Sequence, residues 1–278
     1  MINALSLDFE EWYHPELVKD YLGDIPLENR GGAVVRMLLD LMEKYGHRCT
    51  FFLLSDTVRA YPDLIMEIVK RGHEIGFHGH THRTLREHTP ESFDGEIKAF
   101  LKVLGDAGVD CRPKGYRAPT FSLNQSTSWA LGVLEDSGFL YDSSIFPMAM
   151  RLYGVPGASL RIYRPDPDDI RRGRDSGILE FPLTVVKMGP ANVPASGGAY
   201  FRLLPYFISR RLLKSVNVGG RPFVFYFHPW EMDPGIPRLP IGGLSSFLTY
   251  HGVNGMAAKI ERLFEDFSFD RMDEVLGV

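Results

Sequence analysis

Four times between residues 32 and 142, a run with helical spacing of apolar residues stops at a glycine and is followed by a short apolar run ending on a polar residue. Nothing else in the chain constrains its fold as strongly. Val34, Val35, Leu38, Leu39 and Met42 lead to Gly46 and the run CTFFLL. Leu64, Ile65, Ile68 and Val69 lead to Gly72 and Glu74–Phe77. Phe93, Ile97, Leu101 and Leu104 lead to Gly105, Gly108 and Lys114–Tyr116, and the segment from Asn124 leads to Gly138 and Phe139–Tyr141. Residues 2 to 8 precede the series as an alternating strand, and PFVFYF, residues 222 to 227, follows it as the clearest strand of the C-terminal half. Strands and helices that alternate through short connections predict a parallel sheet. About seven such units fit an α/β fold of the distorted (β/α)7 barrel type, a single domain with long surface loops. The core is expected over residues 3 to 238, with a helical extension over 242 to 278 that includes an amphipathic helix near 255 to 266. Residues 143 to 177, rich in arginine, aspartate and proline, read as a solvated surface excursion. Residues 178 to 186 read as one strand, 189 to 202 as a glycine- and proline-rich loop, and 203 to 216 as a helix.

Polar residues fall on this pattern at regular places. Asp8, His78, Arg117, Asp142 and His228 each stand at the C-terminal end of a predicted strand, the rim on which α/β enzymes assemble their sites. One such residue is ordinarily a turn or a helix cap; five on a single rim are not explained by capping. His78 and His82, four apart in HGHTH, can reach one cation. The preceding His73-Glu74 opens like a zinc-protease helix, but the position of its second histidine is Phe77, so that reading fails.

Composition narrows the partners. A net charge of −4 on 278 residues gives no basic footprint for nucleic acid. The two cysteines, Cys49 and Cys111, are far apart and form no metal-type pair, so buried thiols are expected. No window is apolar enough for a membrane span and the first residues lack a basic-then-apolar leader, which favours a cytoplasmic protein.

The motifs NALSLDFEEW, TFFLLS, GHEIGFHGHTH, GYRAPTFS, YDSSIFP, SGGAYFRLLP and FYFHPWEMDP, in this order from about Asn3 to Arg238, resemble the polysaccharide deacetylases of carbohydrate esterase family 4. They look most like the subgroup without a signal peptide found beside exopolysaccharide and exosortase systems. The resemblance implies a metal-dependent hydrolase that removes N-acetyl groups from an amino-sugar-containing saccharide or its biosynthetic intermediate. In this family two adjacent aspartates act as base and metal ligand; here they fall on Asp8 and Phe9. Phenylalanine cannot bind a cation, so the ligand role passes to Glu10, on the same strand face as Asp8. The converse assignment, Asp8 as ligand and Glu10 as base, is the alternative, and Glu11 is a third.

The resemblance then implies that Glu10, His78 and His82 hold a divalent metal that activates a water. Asp8 would be the base, fixed by Arg117, and His228 the acid. The backbone near Thr120 would bind the oxyanion, Tyr200 and Trp230 would offer flat faces to a sugar, and Asp142 would either orient His228 or cap a helix. Zinc fits the ligand set, and cobalt, manganese or iron(II) would use the same donors. The expected partner is a carbohydrate bearing N-acetyl groups; oligomeric state is not legible. Two rivals share these residues: a cyclic amide or ureide hydrolase on the same fold, and a carbohydrate-binding pseudoenzyme.

Overall fold

The computed structural model describes residues 1–150, 153–189 and 191–278. Its strands are β1 (Ile2–Phe9), β2 (Thr50–Leu53), β3 (Glu74–Phe77), β4 (Gly115–Tyr116), β5 (Tyr141–Asp142), β6 (Pro165–Asp166), β7 (Asp169–Gly173), β8 (Leu179–Glu180), β9 (Val185–Met188), β10 (Ala191–Pro194), β11 (Val224–Phe227) and β12 (Ser268–Asp270). The main sheet runs β11-β1-β2-β3-β4-β5-β8, parallel throughout, and curls into a half-barrel; β12 adds a parallel strand beside the start of β1.

The twofold alternation of side chains along each strand sorts them into two cores. Leu5, Leu7 and Phe9 of β1, Phe51 and Leu53 of β2, Ile75 and Phe77 of β3, and Phe225 and Phe227 of β11 face outward under the helices. There they meet the apolar stripes of helices 31–45, 62–70, 90–106 and 253–266. Ala4, Phe52, Tyr141, Val224 and Tyr226 face the barrel interior, with the polar Ser6, Asp8, Thr50 and Glu74 at the intervening positions of their strands. Two glycines leave room for the inner rings: a Cβ on Gly115 would lie 2.0 Å from the Tyr141 ring, and one on Gly76 would lie 2.5 Å from Phe52.

The barrel does not close. Between β8 and β11 the Thr184 side chain bridges the gap, its Oγ1 accepting from Val224 N at 2.8 Å and donating to Val224 O at 2.9 Å. Arg221 donates across the same seam to Leu160 O and Val185 O.

Three expectations change. Residues 178 to 186 are not one strand, because β8 ends at Glu180 and β9 begins only at Val185. The segment 189–202 is not a loop throughout: β10 pairs antiparallel with β9, and Gly198–Leu203 is a helix. The segment 143–177 is not wholly a surface excursion either, since Ser143, Ser144, Ile145 and Phe146 are fully buried and β6 and β7 form a hairpin. Arg151, Leu152 and Pro190, within these two segments, lie outside the described residues. The C-terminal segment also does more than add helices. β12 joins the sheet and helix Met272–Leu276 plugs the barrel floor, where Met272 N donates to Thr50 Oγ1 and Asp273 N to Glu74 Oε2.

Candidate active site

Asp8 points into the barrel near the end of β1. The chain then turns, Glu10 N donating to Asp8 O at 2.8 Å, so Glu10 enters the same cavity although the strand has stopped. Phe9, between them, turns the other way; it is fully buried and stacks on Tyr61 with ring centroids 5.5 Å apart. Burying such a ring is worth roughly 1.5–3 kcal/mol, which explains why the residue between the two acids is apolar. Glu11 is engaged elsewhere: its carboxylate accepts from Arg30 N and Gly31 N at the start of helix 31–45 and from the Tyr61 hydroxyl.

His78 follows β3 directly, and His82 is brought to it by a turn at Gly79, φ +118°, with His82 itself left-handed at φ 54°. Both Nε2 atoms lie 3.0 Å from Glu10 Oε1. Ligand atoms of Glu10, His78 and His82 all fall within 4.8 Å of one another, and all three residues are buried. His78 Nδ1 donates to Arg117 O at 2.8 Å, which leaves Nε2 as the bare nitrogen facing the carboxylate. A bare nitrogen and a carboxylate oxygen at that separation repel unless a cation lies between them, so the donor set fits a metal. Burial alone would raise the Glu10 carboxyl; the field of His82 and His228 outweighs it and holds Glu10 well below the ordinary carboxylate range. His14 stacks on His82 at 5.7 Å, and its Nδ1 accepts from Glu11 N at 3.0 Å. Burial takes His14 down to about 3, so it is a neutral ring against the ligand.

Arg117, fully buried after β4, lies against Phe52 and Tyr226, its guanidinium carbon 4.3 and 5.4 Å from their ring centroids. Its Nη1 donates to Asp8 Oδ1 at 2.6 Å and Ser6 Oγ at 2.8 Å, while Nε and Nη2 are held by Ser143. One Asp8 oxygen is thus fixed. The other lies 3.9 Å from His228 Nε2, which is also 3.8 Å from Glu10 Oε1.

His228 follows β11, and Glu231 holds it: Oε2 accepts from both His228 Nδ1 and the His228 backbone at 3.0 Å. Glu231 is anchored in turn by Arg202 Nε at 3.0 Å. Burial pulls the imidazole down, but Glu10, Glu231 and Asp8 together push His228 up to about 9. Trp230 stacks on the imidazole at 5.4 Å.

Asp8, Glu10, His78, His82, His228 and Glu231 line a cavity of about 660 Å³ together with Thr120, Tyr200, Tyr226 and Trp230, with Arg117 behind Asp8. Thr120 stands in the left-handed region at φ 54°, a conformation that a β-branched residue adopts only where its surroundings impose it. A second depression, of about 730 Å³, shares none of these residues and holds the ion pairs of Arg71.

Asp142 is the exception among the expected site residues. It neither orients His228 nor lines the cavity. Its carboxylate bonds Ser144 Oγ and N, and burial raises it beside Glu180, which burial and Asp142 raise well above the usual range. The two acids lie behind the loop that carries Arg117, whose neighbour Ala118 N donates to Ser144 Oγ at 2.7 Å. Sequence reasoning missed Glu231, Arg202 and His14. The capping relation of Glu231 to His228, three residues apart, was the available signal for the first.

Residues 24–137 match the family model described as Polysaccharide deacetylase, and residues 143–277 match Domain of unknown function (DUF3473). The peptidoglycan deacetylase-like protein FGM2 of Gibberella zeae is 28% identical over 125 residues, which is 44% of this chain and 36% of that protein. The chain spans less than half the length of the first curated relatives it matches. Two solved structures share the fold. The one described as "putative polysaccharide deacetylase from Mycobacterium smegmatis" has a TM-score of 0.62 at 19% identity, covering 99% of this chain and 90% of its own. Puue allantoinase has a TM-score of 0.62 at 16% identity, covering 98% and 87%. The candidate site crosses both family matches, with Asp8 and Glu10 ahead of the first, His78, His82 and Arg117 within it, and His228 and Glu231 within the second. Residues 24–137 are thus similar to polysaccharide deacetylases, by the family model and by the names of the relatives.

Proposed function

We propose that the protein is a metal-dependent hydrolase that removes N-acetyl groups from an amino-sugar-containing saccharide or its biosynthetic intermediate. The observation that carries this reading is the meeting, in one cavity, of the Glu10, His78 and His82 cluster with Asp8, which Arg117 holds from behind, and the His228–Glu231 pair. A divalent cation held by Glu10, His78 and His82, zinc first among those the donors suit, would polarise the amide carbonyl and acidify a water. Asp8, held through Oδ1, keeps Oδ2 free to take the proton of the attacking water. Glu231 on Nδ1 favours the protonated form of His228. With Nδ1 committed to Glu231, Nε2 is the atom that delivers a proton to the departing nitrogen. The Thr120 loop is the candidate for the oxyanion, and Trp230 and Tyr200 for the sugar faces.

The test is acetate release across nucleotide-linked and oligomeric N-acetyl sugars, with metal content measured on the same protein. Asp8→Asn and His228→Ala should each lose activity; equal rates in the wild type and both variants would overturn the roles. The same screen should include a cyclic ureide, since Puue allantoinase has this fold. Ring opening without acetate release would favour the cyclic amide reading, and a metal-free protein that binds glycan without turnover the pseudoenzyme.

A further inference from the structure

The floor of the cavity is polar, but its walls are not. Phe121, Tyr153, Leu203, Leu244 and Leu248 line the cavity, together with Leu17 of the short helix Glu16–Lys19. The polar residues beside these leucines are engaged: Thr249 Oγ1 donates to Ser245 O, Arg202 is bound to Glu231 and to Leu248 O, and Glu16 pairs with Lys19, whereas Trp230 Nε1, next to His228, has no partner among the described residues. A saccharide filling this volume would leave hydroxyls facing aliphatic carbon, losing water without gaining partners. The apolar lining also continues out of the mouth, where Leu17 is 39% and Leu244 71% exposed. Leu244 and Leu248 sit one turn apart on helix Gly243–Tyr250, so the outer residue extends the wall of the inner one.

Resting on the amide-hydrolase reading above, we propose that the substrate is amphiphilic: an N-acylated amino sugar carrying an aliphatic chain that lies along the Leu17, Leu244 and Leu248 wall. The chain could enter on the glycosidic oxygen or as the acyl group itself, and the chemistry of recognition is the same. Apolar wall and catalytic floor belong to one cavity, so a molecule that reaches Glu10 and His228 with its amide has this wall beside it.

The measurement is calorimetric titration of the zinc-loaded Asp8→Asn protein, residues 1–278. Three ligands are compared below their micellar concentrations: the methyl and octyl β-glycosides of N-acetylglucosamine, and the methyl glycoside of N-octanoylglucosamine. Burying two methylenes is already worth a factor of about ten. At least one octyl ligand should bind ten-fold or more tightly than the methyl glycoside, and which one does so identifies the end that bears the chain. Leu17→Ser/Leu244→Ser, at exposed positions that folding tolerates, should abolish the preference. Equal affinity for all three ligands overturns the proposal, as does a preference that survives the double substitution. Acetate release by the wild-type protein is read separately: release from the methyl glycoside with no chain preference overturns the chain and keeps the hydrolase. Chain-dependent binding with no amide cleaved in any ligand overturns both, because the ligand is then no substrate.

Discussion

Glu10 and Asp8 are two residues apart, carry the same group and enter the same cavity, yet their surroundings differ. Glu10 has an imidazole nitrogen on either side at 3.0 Å, whereas Asp8 has the Arg117 guanidinium at 2.6 Å. Glu10→Ala should therefore reduce bound metal from about one equivalent to a small fraction, while Asp8→Asn should retain it and lose turnover; elemental analysis of both separates the roles. A second expectation concerns His228. Glu231 is among the groups that raise it, so Glu231→Gln should lower the pKa of His228. An acid must be protonated to act, so the alkaline limb of kcat/KM should move to lower pH, and His228→Ala should cost about 10²- to 10⁴-fold in kcat. The sequence already pointed to His78, His82, Arg117 and His228, because strand ends can be read from apolar runs. It left Asp142 open between orienting His228 and capping a helix. Asp142 had the right chemistry at the right rim, but its carboxylate is turned to Ser144 and Glu180, an orientation no periodicity encodes.

At the scale of elements, β2, β3 and the C-terminal helix meet at the barrel floor around Glu74. Its Oε2 accepts from Thr50 Oγ1 at 2.5 Å and Asp273 N at 3.3 Å, and burial with Asp273 nearby raises it to about 7. The unfolded chain releases this proton near 4.5, the folded chain only near 7. Between those values the unfolded state binds fewer protons, so stability falls as pH rises and then levels off. The loss is on the order of 3 kcal/mol. Glu74→Gln should flatten this part of the profile in urea melts at pH 4.5, 6 and 8, and a wild-type profile already flat there would rule the account out. Helix Gly198–Leu203 gives another expectation: a Cβ on Gly198 would lie 1.7 Å from Glu231 Oε2. Gly198→Ala should therefore displace Glu231 and lower kcat more than KM, with far-ultraviolet circular dichroism unchanged. The sequence marked this stretch as a loop because its glycines mask a helix of only six residues.

Across the whole molecule, the repeat of strand and helix announced the barrel, and the parallel half-barrel and its neighbours among solved structures agree. The role of the C-terminal segment was not legible, since β12 has three residues and Met272 looks like any helix methionine until it lies under the Arg117 guanidinium, Sδ to Nη2 3.9 Å. Met272→Ala should cost about 2–5 kcal/mol in stability, measured by urea denaturation, because the residue is fully buried and its cavity cannot collapse against the sheet. The seam between β8 and β11 has a different consequence. A closed hoop of strands fixes its own girth; here one threonine hydroxyl and the Arg221 side chain span the break. The girth of the main sheet at this seam is therefore set by side chains, so Thr184 and Arg221 are the positions at which this scaffold can be loosened or tightened with every pairing of the main sheet left intact.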